Sequence, residues 1–356
     1  MGNGKRVLVA MSGGVDSSVA AAILNEKGYE VIGATMKIWP KEHCTKVKER
    51  SCCSLKDIED AKKVCYLLDI RHYVLNFESV FKKEVIDYFS SEYLKGRTPN
   101  PCIVCNEKVK FGALLKKAKE LECMYVATGH YANIEHDREY RLKESADKTK
   151  DQSYVLFSLR YKDLKHILFP VGDFKKKEIK KKAEELGLSL HNKLESQEIC
   201  FIPDNDYSRF LEEYYNVTPK KGDIVNASGK ILGKHDGFWN FTIGQRKGLG
   251  IGYKEPLYVV NINPDKNEVK VGTIKETKRK SFVVNNINWL SKEDISEAYV
   301  KIRYNHPKKR AKITTIDKDK LRVDFIEEES AITPGQAAVF YDSEYVIGGG
   351  WIERIV

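Results

Sequence analysis

Apolar residues before about position 205 alternate between short continuous runs and runs with helical spacing. The run RVLVAM (Arg6–Met11) is typical of a buried parallel strand, and the helical pattern DSSVAAAILNEKG that follows it ends at Gly28. Further strands are predicted at EVIGATMKIW, HYVLNF and YVATGHYA, with helices over about 54–70, 78–94 and 106–121. This alternation predicts an α/β fold with a doubly wound parallel sheet, whose ligand site lies at the carboxyl ends of the strands.

The pattern changes after this region. One helical stretch, DYSRFLEEYY, is followed by short strand patterns such as GDIVNASGKILG and PLYVVNINPDKNEVKVG, and then by AYVKIRYN, RAKITTID, KLRVDFIEE, QAAVFYD and YVIGGGWIERIV. We therefore predict a catalytic domain over 1–205, a small central β-rich domain over 206–277 and a C-terminal β-barrel over 278–356.

Charge and length change this picture only in part. The 356 residues include 61 Lys and Arg against 51 Asp and Glu, a net charge of +10 that moderately favours a polyanionic partner. The densest basic run, KKKEIKKKAEEL, is interpreted for most of its lysines as the solvated face of a helix whose Ile179, Ala183 and Leu186 point inward. In the helix over 54–70, Ser54 is the predicted N-cap and Cys65 a core residue.

The apolar runs are far shorter than the ~18–20 residues that span a bilayer. No signal-peptide pattern precedes the first strand. We therefore expect a cytoplasmic protein with no membrane partner, in which the eight cysteines are thiols, metal ligands or catalysts and not structural disulfides.

The stretch MSGGVDSS (Met11–Ser18) lies between the first predicted strand and the first predicted helix. Two glycines allow close approach to an anion, and the amides of the turn and helix N-terminus present partial positive charge to it. The stretch is neither a Walker loop nor a dinucleotide fingerprint. It resembles the pyrophosphate loop of ATP pyrophosphatases; the plainer alternative is a tight strand–helix turn with a capping aspartate. The other glycine-rich stretch, GLGIGY (Gly248–Tyr253), is interpreted as structural.

The stretch GRTPNPCIVCNEKVKF places Cys102 and Cys105 three positions apart after two prolines. The two thiols suit half of a zinc site, a redox pair, or a nucleophile with a neighbour. Local spacing does not distinguish these three possibilities.

Several ordered segments together resemble the tRNA-specific 2-thiouridylase family. They cover all three predicted domains and comprise the pyrophosphate loop, the Cys102–Cys105 stretch, GHYA (129–132), KDQSYVLF (150–157), ESQEICFIPD (195–204), FTIGQRKGLG (241–250), KIRY (301–304) and TPGQAAVFY (333–341). The resemblance implies ATP-dependent 2-thiolation of the wobble uridine of tRNA. In this reaction the C2 oxygen is adenylated, and sulfur is then transferred from a cysteine persulfide supplied by a donor protein, such as a cysteine desulfurase or a sulfur relay.

The resemblance also implies residue roles. Cys105 would be the nucleophilic cysteine and Cys200 would receive the persulfide sulfur, the two afterwards closing a disulfide or first liberating sulfide. ATP would contact Ala10, Met11, Ser12, Gly13, Gly14, Val15, Asp16, Ser17, Met36 and Gly129. Asp16 would help to position either Mg²⁺ or the loop itself. The tRNA would contact Asn100, Pro101, Cys102, His130, Lys150, Asp151, Gln152, Arg303, Tyr304 and Gln336, of which the first three would lie beside the target base.

One departure leaves an alternative open. Many family members have aspartate where this chain has Cys102, so a carboxylate role cannot be assigned there. Cys102, Cys105 and Cys200 would also suit a [4Fe–4S] cluster with one open iron. A zinc site lacks a fourth ligand at suitable spacing. No role is assigned to Cys44, Cys52, Cys53 or Cys123.

Two other functions are compatible with parts of the sequence. Another adenylating ligase with the same loop would need neither Cys105 nor Cys200, nor a C-terminal barrel. An RNA-binding module with a vestigial nucleotide site would bind tRNA without releasing pyrophosphate.

Overall fold

The computed structural model describes residues 4–38, 55–188, 199–202, 204 and 206–356. Cys44, Cys52, Cys53 and the predicted N-cap Ser54 lie outside these residues. Among the helices of the described part of the chain, none has both the length and the apolar character needed to cross a membrane.

The described residues form strands grouped in three sheets. The strands are β1 (Arg6–Ala10), β2 (Glu30–Lys37), β3 (Arg71–Asn76), β4 (Tyr125–Ala127), β5 (Ala132–His136), β6 (Tyr140–Glu144), β7 (Ile167–Leu168), β8 (Gly222–Val225), β9 (Ile231–His235), β10 (Tyr258–Asn263), β11 (Glu268–Gly272), β12 (Lys278–Trp289), β13 (Glu297–Lys301), β14 (Lys309–Asp317), β15 (Lys320–Ser330), β16 (Ala337–Asp342) and β17 (Tyr345–Ile355).

The α-helices and π-helical segments of the described residues lie mainly in the first domain. The α-helices are α1 (Val15–Glu26), α2 (Leu55–Leu67), α3 (Glu78–Phe81), α4 (Asp87–Leu94), α5 (Pro101–Val104), α6 (Leu114–Glu120), α7 (Lys176–Glu185) and α8 (Tyr207–Tyr215), with π-helical segments at Lys82–Ile86 and Cys105–Ala113. Short 3-10 turns lie at Ser153–Leu156, Tyr161–His166, Phe238–Asn240 and Ile274–Thr277.

The first sheet is parallel, with the strand order β3-β2-β1-β4-β7. Alternate residues of the central strand β1 point to opposite faces. Val7 and Val9 pack into a core with α1 and α7, while Leu8 and Ala10 pack into a second core with α3 to α6. Burial on both faces explains the continuous apolar run of β1 and confirms the predicted doubly wound sheet. The predicted core position of Cys65 is also confirmed.

The stretch YVATGHYA does not form one strand as predicted. The parallel strand β4 ends at Ala127, and β5 begins at Ala132 in a different, antiparallel sheet. A Cβ atom on Gly129 would lie 2.7 Å from the backbone nitrogen of Ser17. The chain thus passes directly against the first turn of α1 between these two strands.

The central and C-terminal regions are β-rich, as predicted. The central sheet has the order β10-β11-β8-β9. In the described residues, β12 to β17 form an antiparallel barrel that closes through pairing of β12 with β17, around buried side chains such as Phe282, Val300, Val323 and Phe340. The strand β12 is absent from the strand patterns picked out in the sequence.

The barrel sheet includes a hairpin from the first domain. Strand β6 pairs antiparallel with β17 through Leu142–Val346 and Lys143–Tyr345, and β5 extends the sheet by one more strand. Strands from the first and last domains thus share one sheet, a long-range pairing that local patterns cannot predict.

Candidate active site

Predicted nucleotide contacts lie at the carboxyl ends of three neighbouring parallel strands. The loop Met11–Gly14 follows β1, Met36 lies near the end of β2, and Gly129 follows β4. Because β1 lies between β2 and β4 in the sheet, these residues lie side by side at the carboxyl edge of the sheet, the region hereafter termed the crevice. This edge is where ligands bind in open α/β sheets.

The loop after β1 is ordered by its own backbone and two serines. The amide of Met11 donates to the carbonyl of Ala34 at 2.8 Å, which continues the sheet beyond β1. The amide of Ser12 donates to Oγ of Ser17 at 3.2 Å, and Oγ of Ser17 donates to the carbonyl of Gly14 at 3.1 Å. The first turn of α1 is thereby fixed against the loop, with its amides near the crevice.

Glycine is required at Gly13. Its φ angle is +67°, and a Cβ atom would collide with the backbone of Asp57 in α2. The loop is therefore confined between α1 and α2 by backbone contacts. Such a cradle without side chains suits a phosphate group.

Asp16 holds a lysine and a tyrosine beside this loop. Nζ of Lys176 lies 2.7 Å and 2.8 Å from the two carboxylate oxygens of Asp16, and the hydroxyl of Tyr131 donates to the same carboxylate at 2.7 Å. The Lys176 side chain is only 12% exposed. Lys176 is therefore an exception to the interpretation of most of these lysines as a solvated face. Ile179 and Ala183 are buried as predicted, and the half-buried Leu186 packs against the same core.

Lys176 is the site residue that the sequence pattern missed. It comes 160 positions after Asp16, so no local motif connects them. The one signal is weak: Lys175, Lys176 and Lys177 stand at the start of α7, where positive charge is unfavourable. A positive charge at such a position is stabilised by a nearby anion, which is here the carboxylate of Asp16.

The Cys102–Cys105 stretch is the start of a long helix. Oδ1 of Asn100 accepts a hydrogen bond from the amide of Ile103 at 3.4 Å, and Pro101 occupies the first helical position. Cys102 is exposed and Cys105 is half-buried. The π-helical segment begins at Cys105, and such widened turns often occur at functional sites.

Cys200 lies against the same apolar core as Cys105. Both thiols are half-buried and pack at the edge of the core beneath one face of the parallel sheet, as does Met36. The ring of Phe201 packs edge-on against Phe81 and Phe89, with ring centroids 5.7 Å and 5.3 Å apart. The structure thus anchors Cys200 beside α3 and α4. Its pairing with Cys105 stays a prediction.

Two other cysteines have a different environment. Burial raises the pKa of the Cys65 thiol to about 12 and that of the Cys123 thiol to about 11. Both therefore stay protonated near neutral pH and are poor nucleophiles. Among the residues that the structure describes, no group of three or more His, Cys, Asp or Glu side chains is arranged to hold a metal ion.

His130, a predicted tRNA contact, is buried beside the crevice. Its Nδ1 lies 2.6 Å from the hydroxyl of Thr128, and its Nε2 lies 3.4 Å from Nζ of Lys110. Burial, with the positive charge of Lys110, holds the pKa of His130 well below its usual range. The imidazole is therefore neutral at physiological pH.

Asp151 and Gln152, two of the predicted tRNA contacts, are hydrogen-bonded to residues of the first domain. The buried carboxylate of Asp151 accepts hydrogen bonds from the amide of Ser145 and the hydroxyl of Ser153, and burial raises its pKa. The side-chain oxygen of Gln152 accepts from the amide of Tyr131 at 2.9 Å. Because Tyr131 contacts Asp16, these residues connect a predicted tRNA contact region to the phosphate loop.

The barrel contributes the remaining predicted tRNA contacts. Arg303 and Tyr304 are exposed, and the guanidinium of Arg303 donates to the carbonyls of Ser330 and Ala331 at 3.4 Å each. The side-chain amide of Gln336 instead donates to the carbonyls of Thr98 and Pro99. Gln336 is thereby brought to the cysteine stretch of the first domain.

Comparisons with known proteins agree with this architecture. Residues 5–204 match the family described as tRNA methyl transferase HUP domain, 208–273 the tRNA methyl transferase PRC-barrel domain, and 279–352 the aminomethyltransferase beta-barrel domain. The chain is 49% identical over 354 residues to the tRNA-specific 2-thiouridylase of Halothermothrix orenii, covering 98% of this chain and 99% of the relative. It is also 49% identical over 356 residues to that of Acetivibrio thermocellus, with the same two coverages.

The chain belongs to the tRNA-specific 2-thiouridylase family. The predicted family and the predicted class of enzyme, a sulfurtransferase, are therefore confirmed. The solved structures similar to this thiouridylase-family chain include remote likenesses. They include a 4-thiouridine synthetase in complex with RNA and ATP (TM-score 0.38, 18% identity, 60% of this chain and 51% of that chain) and the NMN synthetase of Francisella tularensis (TM-score 0.35, 15% identity, 61% and 79%).

Proposed function

We propose that this protein uses ATP to replace the C2 oxygen of the wobble uridine of tRNA with sulfur. The observation that carries the proposal is the arrangement of one crevice. A phosphate-type loop, Met36 and Gly129 lie there at the carboxyl ends of three neighbouring strands, and the cysteines proposed to act lie against the same core as Met36. Adenylation needs the first set of residues, and sulfur transfer needs the second.

In the first step the C2 oxygen attacks the α-phosphorus of ATP, and the bond to pyrophosphate breaks. The departing pyrophosphate is held by the amides and hydroxyls of Ser12 to Ser17, and its negative charge is met by Lys176. The oxygen is then part of an AMP leaving group, so the C2 carbon becomes attackable. Ala10 and Val15 would contact the nucleotide through the backbone of the loop.

Mg²⁺ would accompany ATP and neutralise charge on the leaving pyrophosphate. Both carboxylate oxygens of Asp16 are already engaged by Lys176, one of them also by Tyr131. This favours the alternative in which Asp16 positions the loop and Lys176 and does not itself hold the metal.

In the second step a persulfide on Cys200 supplies the sulfur. Its terminal sulfur attacks C2 and AMP departs with the original oxygen. The Cys105 thiolate then attacks Sγ of Cys200, which leaves the transferred sulfur on the base and closes a disulfide. In the alternative order, Cys105 first liberates sulfide, which attacks C2. A thiol reductant resets the pair in either case, and a donor protein such as a cysteine desulfurase or sulfur relay reloads Cys200.

A [4Fe–4S] cluster on Cys102, Cys105 and Cys200 fits less well. Among the described residues these thiols are not gathered into a metal-binding group. The persulfide couple is therefore the proposed chemistry.

The tRNA is proposed to bind across the first domain and the barrel. Lys150 is half-exposed and Arg303 and Tyr304 are exposed, so their side chains can reach RNA directly. Asn100, Pro101 and Cys102 would face the target base. Asp151 and His130 are buried, so their influence on tRNA would pass through Gln152, Tyr131 and Lys110. A cytoplasmic location follows from this substrate and stays a proposal.

The testing experiment measures pyrophosphate release and nucleoside composition together. Purified protein is incubated with ATP, a persulfide donor and unmodified tRNA, and the digested tRNA is analysed by mass spectrometry. The proposal expects pyrophosphate and 2-thiouridine only when tRNA is present. Pyrophosphate without sulfur incorporation would indicate another adenylating ligase, and tRNA binding without pyrophosphate would indicate an RNA-binding module.

A further inference from the structure

We propose that the barrel segment Thr333–Ala337 positions the catalytic cysteine helix, with Gln336 as the positioning residue. The residues that precede this helix, Arg97 to Asn100, are hereafter the cysteine-helix entry. This inference rests on the proposed function for its catalytic meaning. The contacts themselves do not depend on that function.

The backbone of the entry is bound on both sides by the barrel. The amide of Thr98 donates to the carbonyl of Pro334 at 2.9 Å. Nε2 of Gln336 donates to the carbonyl of Thr98 at 2.9 Å and to that of Pro99 at 3.3 Å. Both backbone polar groups of Thr98 are therefore satisfied by one barrel segment, and this fixes the direction of the chain.

Close approach is built into the segment at Gly335. Its φ angle is +92°, and a Cβ atom there would lie 2.9 Å from both the nitrogen and the oxygen of Thr98. Any side chain would push the entry away from the barrel. Glycine here serves contact with the cysteine helix as well as the local turn.

The segment is itself fixed to the last barrel strand. The amide of Gly335 donates to the carbonyl of Ile352 at 2.9 Å, and the amide of Ile352 donates to that of Gln336 at 2.8 Å. Arg97 adds a second connection, because its guanidinium donates to the carbonyl of Ile352 at 3.2 Å and pairs with Glu92 at 2.7 Å. The hydrogen bonds between the barrel segment and the entry, hereafter the clamp, therefore join the entry to a rigid sheet and not to a loop.

Little chain separates the clamp from the thiols. Pro99 and Pro101 restrict the backbone on either side of Asn100, whose side chain caps the helix. A displacement of Thr98 should therefore displace Cys102 and Cys105 by a similar distance. Gln336, expected from the sequence to meet tRNA, acts on this account through the cysteine helix.

The test compares two variants. Gln336→Met removes the side-chain amide that donates to the entry, and Gln336→Glu places a carboxylate, which cannot donate, against the carbonyls of Thr98 and Pro99. The matched control is Asp342→Asn, a carboxylate–amide exchange at an exposed barrel position. Hydrogen exchange of the Thr98 amide should accelerate about tenfold in both Gln336 variants, and alkylation of half-buried Cys105 by iodoacetamide should accelerate relative to exposed Cys102. Amides of the barrel core, such as Val323, should be unaffected, as should the control.

A pH readout separates positioning from simple loss of packing. At acid pH the new carboxyl of Gln336→Glu carries a hydroxyl that can donate to one carbonyl. Protection of Thr98, corrected for intrinsic exchange, should then return in Gln336→Glu and not in Gln336→Met. In turnover, kcat for thiolation should fall about tenfold with KM for ATP unchanged.

The proposal would be overturned if the Thr98 amide of Gln336→Met exchanged as slowly as in the wild type while tRNA binding was weakened. Gln336 would then be a direct RNA contact. If a Gln336 variant does not fold, the wild-type protein still decides. Thr98 must be protected to a similar degree as Ile352, and rapid exchange at Thr98 alone would refute the clamp. Failure of wild-type thiolation would count against the proposed function only, because exchange and alkylation need no turnover.

Discussion

The phosphate loop and the cysteine-helix entry are both turns before a helix, but they are held in different ways. The loop is fixed mainly by near neighbours, such as the Ser12–Ser17 contact, with Gly13 against α2. The entry is fixed by a residue 238 positions away, Gln336 on the barrel. Substitutions around the loop should therefore change ATP use, whereas substitutions around the entry should change thiol chemistry and leave ATP binding intact.

The largest expected effect is at the cysteines. Cys105→Ser and Cys200→Ser should each lower thiolation by about a thousandfold or more, because a hydroxyl is a far weaker nucleophile than a thiolate at neutral pH. ATP binding, measured by calorimetry, should stay within about twofold of wild type. Loss of ATP binding in either variant would break the distinction between the two regions.

Cys102→Ala is the matched control for these variants. The persulfide couple predicts that much of the activity remains, since Cys102 is exposed and only neighbours Cys105. A loss as large as in Cys105→Ser, together with a requirement for iron, would instead favour the cluster.

The second effect is at the lysine beside the phosphate loop. Lys176→Met should weaken ATP binding by about 10- to 100-fold, which corresponds to one charge-assisted hydrogen bond. Lys177→Met, on the exposed side of the same helix, should bind ATP normally. Cys105 alkylation should be unchanged in both variants. Normal ATP affinity in Lys176→Met would mean that Lys176 only neutralises Asp16.

The third effect concerns tRNA. Arg303→Ala and Lys150→Ala should each weaken tRNA binding by about three- to tenfold and lower the slope of log affinity against log salt by about one. Arg310→Ala is the control, because Arg310 is exposed on the barrel but paired with Glu297 at 2.7 Å. Filter binding across a salt series measures all three. Unchanged slopes would show that RNA does not contact these two residues.

The smallest effect is on stability and comes from His130. Its pKa is lowered by burial and by Lys110, so the unfolded chain binds a proton more readily than the folded one. The free energy of unfolding contributed by His130 is therefore complete above the unfolded pKa of about 6.5 and is lost as pH falls below it. His130→Asn should flatten this part of the pH–stability curve. An unchanged slope between the two proteins would contradict a neutral buried imidazole.

The sequence allowed prediction of those parts of the site that depend on contiguous residues. Ser12 to Ser17 could be recognised because glycine spacing and helix start are local properties. The parallel sheet and the barrel could be predicted from hydrophobic period. Lys176 could not, because its role depends on the packing of α7 against α1, and its neighbours in the run are solvated.

Long-range pairing sets the same limit on the fold. The hairpin β5–β6 joins the barrel through β17, which no pattern around residue 132 indicates. Gln336 was identified as important by family resemblance, but its hydrogen bonds to Thr98 and Pro99 became apparent only from the fold. Burial of Asp151 likewise could not be distinguished from exposure in a polar stretch.

The most direct test of the central claim follows the oxygen atom that sulfur replaces. A tRNA carrying a heavy oxygen isotope at C2 of the wobble uridine is thiolated by the wild-type protein, and the AMP produced is analysed by mass spectrometry. Adenylation of C2 followed by attack of cysteine-borne sulfur predicts that the label is transferred to AMP, one atom for each 2-thiouridine formed. Label in free water or in pyrophosphate, with unlabelled AMP, would contradict the account.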